Sequence, residues 1–184
     1  MFDELAGRIM DFLTHIFLPL TVAYVLRREL FETPVRLSLA GFGLLSDFNK
    51  FLDQPGLMHS FVTLTPICLT LLAGERWLRG RVVLTPLIVA FVLSHLLLDF
   101  IDGGPVWPLL PLVDTGIGLQ YPVWTVFGGG PIGLIFQGPI VALKIGMARP
   151  SGSNSYGFIN GFGIASLLTF FVVYVGLSQQ EKNN

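Results

Sequence analysis

The run Val82–Ile101 constrains this chain more than any other stretch. A helix needs about 20 apolar residues to cross the hydrocarbon core of a bilayer, and this run supplies them without a single lysine, arginine or glutamate. Two ionisable groups interrupt it, in Ser94-His95-Leu96-Leu97-Leu98-Asp99. An imidazole and a carboxylate four residues apart share one face of a helix. Asp102 continues that face as the run ends. Ionisable groups are costly in so apolar a segment and need partners or a job. His and Asp at this spacing form half of a metal site, and His15, Asp47 and His59 are the candidates for the other half.

The rest of the chain fits a membrane setting. Of its 184 residues, 52% are hydrophobic and 12% charged, about half the charge of a soluble domain, and the mean hydropathy is +0.70. The net charge of −1 gives no basic footprint for nucleic acid. The acidic start Met-Phe-Asp-Glu argues for a retained first helix rather than a cleaved leader. Cys68, the single cysteine, has no partner for an internal disulfide and reads as an apolar filler.

Six apolar segments can be read: Ile9–Leu26, Pro34–Leu45 (extendable to Phe51), Met58–Ala73, Val82–Ile101, Pro131–Met147 and Tyr156–Leu177. They predict an all-α integral membrane protein, one transmembrane domain over residues 1–184 with about six helices in a single bundle. Between the fourth and fifth segments, Gly103-Gly104-Pro105, Pro108, Pro111, Pro122 and Gly128-Gly129-Gly130-Pro131 forbid a straight helix. This region reads as a loop over one membrane face, with Trp107, Tyr121 and Trp124 at the lipid–water boundary. Cytoplasmic loops collect Lys and Arg. With the N-terminus outside, Arg27, Arg28, Arg36, Arg76, Arg79, Arg81, Lys144 and Arg149 fall on the cytoplasmic side, and Arg8, Lys50 and Lys182 outside. That orientation brings His15, Asp47, His59, His95, Asp99 and Asp102 to similar depth on the external side.

Neutral imidazoles and carboxylates suit Zn²⁺ first, then Mn²⁺ or Fe²⁺. Four ligands can come from Asp47, His59, His95 and Asp99, with His15 completing the site or holding a second ion. A bound divalent ion brings the pKa of a coordinated water toward neutrality. Asp102 or Asp53 is placed to take its proton, and Ser60 or Asn49 to hydrogen-bond a ligand from behind. Asp53 and Asp114 also read as solvated loop charges, Lys50 as an interface cation, and Pro19 as a kink that could draw His15 toward freed carbonyls.

Thr14-His15, Gly41-Phe42-Gly43-Leu44-Leu45-Ser46-Asp47-Phe48-Asn49, Gly56-Leu57-Met58-His59-Ser60 and Ser94-His95-Leu96-Leu97-Leu98-Asp99 follow one another in order. This order resembles the family of membrane-bound metal-dependent hydrolases also described as LexA-binding, inner-membrane-associated putative hydrolases, over about residues 12–112. A weaker similarity is to zinc-dependent phospholipase C. The resemblance implies a metal centre on Asp47, His59, His95 and Asp99, with His15 helping at a second ion, and hydrolysis of a phosphoester in a lipid or lipid-linked substrate at the outer face of an inner membrane. The chain departs from the membrane family where a second carboxylate is replaced by Asn49, and where Pro55 and Met58 stand in place of Arg and Thr. It has no histidine after His95 to match the later phospholipase motif. The rival expectation is a non-enzymatic accessory subunit of a membrane complex, its charge-free last segment packing against partner helices. A small transporter with broken helices lining a path is a weaker third.

Overall fold

The computed structural model describes residues 11–51, 56–102, 106–119, 123–126, 133–136, 139–145 and 159–183. These residues are mostly helical. They form five α-helices: α1 (Phe12–Leu26), α2 (Pro34–Ser38), α3 (Phe61–Arg79), α4 (Leu84–Ile101) and α5 (Gly161–Asn183). A 3₁₀ stretch over Leu39–Phe51 continues α2. Four short strands follow α4: β1 (Thr115–Leu119), β2 (Val123–Val126), β3 (Gly133–Phe136) and β4 (Val141–Ile145).

The mostly helical architecture agrees with the sequence reading; six crossings do not. Among the described residues three helices are long and apolar enough to cross a membrane, Phe61–Arg79, Leu84–Ile101 and Gly161–Gln180, and α1 is apolar but shorter. The expected second span, Pro34–Leu45, is instead the five-residue α2 running into the 3₁₀ stretch. The expected fifth span, Pro131–Met147, contains β3 and β4. Gly133 and Gly138-Pro139 cut that run into pieces too short for a helix, and its apolar composition alone cannot tell a buried strand from a helix. The strands nest. β1 pairs antiparallel with β4 (Leu119 opposite Val141) and β2 with β3 (Val123 opposite Phe136), while a bridge between Val106 and Ile117 ties the segment after α4 onto β1.

The 3₁₀ stretch explains how the site end of the bundle closes. In a 3₁₀ helix residues three apart eclipse one another. Ala40, Gly43 and Ser46 form such a row and all are buried, whereas Phe42 and Phe48 are exposed. Small side chains let this row press against its neighbours. A Cβ on Gly43 would stand 3.1 Å from the carbonyl oxygen of His15 and 3.5 Å from that of Phe91. Pro19 has no N–H to offer the His15 carbonyl, so the 3₁₀ stretch passes α1 where that helix has one fewer internal bond. α1 nevertheless continues through Pro19 to Leu26.

Helix ends fix the rest. Asp11 caps α1 and Ser60 caps α3, each accepting from a first-turn amide. α4 has no local side-chain cap. Glu75 of α3 takes that role, accepting from the amides of Val83, Leu84 and Thr85 at 2.8–3.1 Å. α1 and α5 run parallel: the Asn160 amide donates to Asp11 at their starts, and Arg28 Nη1 donates to the Leu177 carbonyl at 2.9 Å near their ends. The start of α1 and the end of α5 therefore lie at opposite ends of the bundle, whereas six crossings would place both on one side. The core is apolar, built on Leu20, Tyr24, Phe31, Leu64, Ile88, Phe91, Val92 and Leu96, with Phe170, Val173 and Leu177 of α5 packed against it.

Candidate metal centre

Four separate pieces of chain deliver the polar groups. α1 brings His15 one turn in from its Asp11 cap. The 3₁₀ stretch brings Asp47, next to the buried Ser46. A short 3₁₀ turn, Leu57–His59, brings His59. α4 brings His95 and Asp99, one helical turn apart. His59 is set by its flanks. Gly56 ahead of it has φ +84°, a conformation costly for a residue with a Cβ, and a Cβ there would also stand 3.1 Å from the Trp107 ring. Behind it, Ser60 starts α3.

The five side chains meet. All are buried, His15 and His95 completely. His59 Nε2 lies 2.8 Å from Asp99 Oδ2, an ordinary hydrogen-bond distance. The other contacts are longer: His15 Nε2 to Asp99 Oδ1, His95 Nε2 to Asp99 Oδ2 and His95 Nε2 to Asp47 Oδ1 are each 3.4 Å. Charge-assisted N–H···O bonds close to about 2.7–2.9 Å. A tetrahedral ion with bonds of about 2.1 Å sets neighbouring ligand atoms about 3.4 Å apart. The three 3.4 Å contacts have the spacing of ligand atoms around an ion, whereas His59 and Asp99 are hydrogen-bonded directly. The imidazoles of His15 and His95 stack with centroids 4.1 Å apart, and His59 is tilted against His95 at 5.4 Å.

Two ligand sets fall within metal-binding reach, His15 with His95 and Asp99, and Asp47 with His59 and His95. In each, one ligand atom per residue lies within 4.8 Å of the others. His95 belongs to both. Neither nitrogen of His95, nor Nδ1 of His59, has a hydrogen-bond partner among the described residues. A buried polar atom without a partner costs about 1–3 kcal/mol, and this cluster gathers several. A divalent cation fits either donor set: each offers two imidazoles and one carboxylate. The buried His/Asp cluster can hold a metal ion.

The other residues singled out by the sequence lie elsewhere or do something else. Asp102 ends α4, half-buried, its amide bonded to the Leu98 carbonyl at 2.8 Å, and it belongs to neither ligand set. Asp53 and Tyr121, and the side chains of Asn49, Lys50 and Trp124, lie outside the described residues. Ser60 is not positioned by its hydroxyl for a ligand. That hydroxyl accepts from the Val62 amide and shares its one proton between the carbonyls of Leu110, at 2.5 Å, and Pro108, at 3.1 Å. Its work is to cap α3 and to fasten the segment after α4 beside His59, helped by Phe61 N–H on the Pro108 carbonyl at 2.9 Å. Trp107, expected at the lipid boundary, is buried over Gly56. Asp114 is exposed, as expected, and Cys68 is a free thiol.

Two groups escaped the sequence reading. Ser46 is fully buried, its hydroxyl without a partner among the described residues. Asp11 is a fully buried carboxylate at the head of α1. The pattern Asp11-x-x-Thr14 ahead of an apolar run is a helix-start signal and was the available clue.

No protein-family model matches this chain, and neither curated proteins nor solved structures give a match. The chemistry of the site therefore rests on its own geometry.

Proposed function

We propose that this protein is a membrane-embedded, metal-dependent hydrolase that cleaves a phosphoester in a lipid or lipid-linked substrate. The observation that carries the reading is the convergence of three imidazoles and two carboxylates, at spacings of 2.8–3.4 Å, at one end of a bundle containing three helices able to cross a bilayer. Asp47, His59, His95 and Asp99 would hold the ion, with His15 beside Asp99. Zn²⁺ suits this donor set best, with Mn²⁺ or Fe²⁺ next. When bound, such an ion supplies Lewis acidity and makes water a nucleophile near neutral pH. The chain's own contribution would be placement: α4 carries His95 and Asp99 on one face, and the turn Leu57–His59 after Gly56 sets His59. Asp102, past the last turn of α4, would serve as the proton acceptor; the role sketched for Asp53 is the same.

The arrangement of cations supports an orientation. Arg27, Arg28, Arg36, Arg76, Arg79 and Arg81 all lie at the end of the bundle away from the His/Asp cluster. By the bias of positive charge toward the cytoplasm, the cluster would face outward from the inner membrane.

The test is metal analysis of detergent-purified protein, followed by assays on phospholipid and phosphomonoester panels. At least one Zn or Mn per chain in the wild type, lost in His95→Ala, with metal-dependent phosphate release, is the expected result. Absence of stoichiometric metal in the wild type would remove the reading. A second reading, an accessory subunit of a membrane complex, draws on α5, which exposes Phe162, Ile164, Leu168, Phe171 and Val172. A partner that stays bound through purification, with no turnover on either panel, would favour it.

A further inference from the structure

Asp11 is the one buried carboxylate described here that sits apart from the His/Asp cluster. Its Oδ1 accepts from the Thr14 amide at 3.0 Å and the Thr14 hydroxyl at 2.8 Å. Its Oδ2 accepts from the Asn160 amide. Asn160 in turn caps α5, its Oδ1 accepting from the amides of Phe162 and Gly163 at 2.8 and 3.0 Å. One carboxylate thus receives the positive ends of two parallel helices. Gly163 has no side chain because there is no room for one: a Cβ there would collide with the Asp11 carboxylate. The next residue along from Thr14 is His15, whose amide donates to the Asp11 carbonyl at 3.2 Å in the first turn of α1. The first turn that Asp11 fixes is the turn that carries His15 to Asp99.

We infer that Asp11 is a positioning residue for the metal centre, locking His15 in place by pinning the start of α1 to the start of α5. This rests on the metal reading above. α5 contributes no ligand, yet it is wired to the site through this carboxylate. Loss of groups that orient metal ligands costs about 10–100-fold in metal affinity, and Asp11 acts on His15 alone among the five.

The experiment uses the full chain in detergent and the metal alone as probe. Zn²⁺ affinity is read by chelator competition, and the ligand field by the visible spectrum of the Co²⁺-loaded protein, for wild type, Asp11→Asn, Gly163→Ala, His15→Ala and the Asp11→Asn/His15→Ala double variant. Asp11→Asn keeps the size of the side chain but loses the charge and one acceptor; Gly163→Ala removes nothing and displaces the carboxylate. Each should weaken Zn²⁺ binding about tenfold and move the Co²⁺ spectrum toward that of His15→Ala. The double variant should bind no more weakly than His15→Ala alone, because non-additivity marks residues that act through one another. An Asp11→Asn protein with wild-type affinity and spectrum overturns the inference, as does a full additional loss in the double variant, which would mean that Asp11 only supports the fold. Should Asp11→Asn not fold, Gly163→Ala and its double with His15→Ala are read in the same way. A wild type that binds no Zn²⁺ or Co²⁺ overturns the metal reading itself, and that outcome is distinct from the others.

Discussion

The two ends of the helical bundle hold the same classes of residue and use them differently. At the arginine end, charged side chains do ordinary work on helix termini. Arg28 donates to the Leu177 carbonyl, Arg36 to that of Leu30 at 3.2 Å and Arg76 to that of Gly80 at 2.6 Å, while Glu75 caps α4. Arg27 pairs with Glu29, both exposed, and the guanidinium lowers the Glu29 carboxyl pKa below its usual value. Each of these groups is satisfied locally, and most reach water. At the other end His15, Asp47, His59, His95 and Asp99 are buried together, and the nitrogens of His95 cap nothing. Among the described residues this is the place where ionisable groups are buried together with imidazole nitrogens left open, and such a cluster can hold a metal ion. The contrast makes a ranked set of expectations: substitutions at the cluster should abolish binding, and substitutions at the arginine end should do almost nothing.

His95→Ala should have the largest effect, because His95 belongs to both ligand sets. Metal affinity should fall by more than about 100-fold, beyond the range for groups that merely orient ligands. Added Zn²⁺ should raise the thermal midpoint of the wild type and leave that of the variant unchanged, since a ligand stabilises only the state that binds it. A variant that keeps its metal and its Zn²⁺-dependent shift would erase the difference between the two ends.

Acidification is the next lever. Imidazoles must be neutral to donate to a metal, and their usual pKa is about 6.5. Protons therefore compete with the ion for His15, His59 and His95, and the sign is fixed: affinity falls as pH falls. Zn²⁺ release measured by dialysis should rise between about pH 7 and pH 5. Retention of metal unchanged to pH 5 would point to carboxylates alone as ligands.

What could be read from the chain beforehand divides along the same lines. The clustering of His15, Asp47, His59, His95 and Asp99 was legible because ionisable groups inside apolar runs stand out, and a spacing of four within Val82–Ile101 sets His95 beside Asp99 on any helix. α3, α4 and α5 were legible because long apolar runs have few other solutions. Pro131–Met147 was misread because its pieces are apolar but short, and only the Gly-Pro breaks separate a strand from a helix. The 3₁₀ stretch was missed for a subtler reason: Ala40, Gly43 and Ser46 repeat every three residues, a period that passes for noise beside 3.6. Ser60 departs from its expected role because sequence neighbours of a candidate ligand look like its supporters. Its hydroxyl instead serves carbonyls about 50 residues away in the chain, at Pro108 and Leu110, and nothing local announces a long-range bond.

Ser60→Ala sharpens that last point. Removing the hydroxyl deletes an N-cap, worth about 0.5–2 kcal/mol, and leaves the buried Leu110 carbonyl short of its donor. Thermal unfolding in detergent should show a loss of about 1–3 kcal/mol. Metal affinity should stay within a few-fold of the wild type, since no ligand is touched. A collapse of metal binding at unchanged stability would return Ser60 to the role that the sequence suggested.

The smallest effect belongs to Arg76→Ala. Its guanidinium donates to the carbonyl of Gly80 at the exposed end of α3, where water is at hand to replace it. Exposed substitutions away from packing features stay within about 0.5 kcal/mol, and Zn²⁺ affinity should be indistinguishable from the wild type. This near-silence is informative when it is read beside His95→Ala. Both residues carry a nitrogen-rich side chain on a helix able to cross a membrane, and both alanine variants remove one potential cation. If the Arg76 change weakened metal binding as much as the His95 change, the loss would track helix packing or overall charge. A wide gap between the two ties the loss to the cluster where nitrogen and carboxylate oxygen are held 3.4 Å apart.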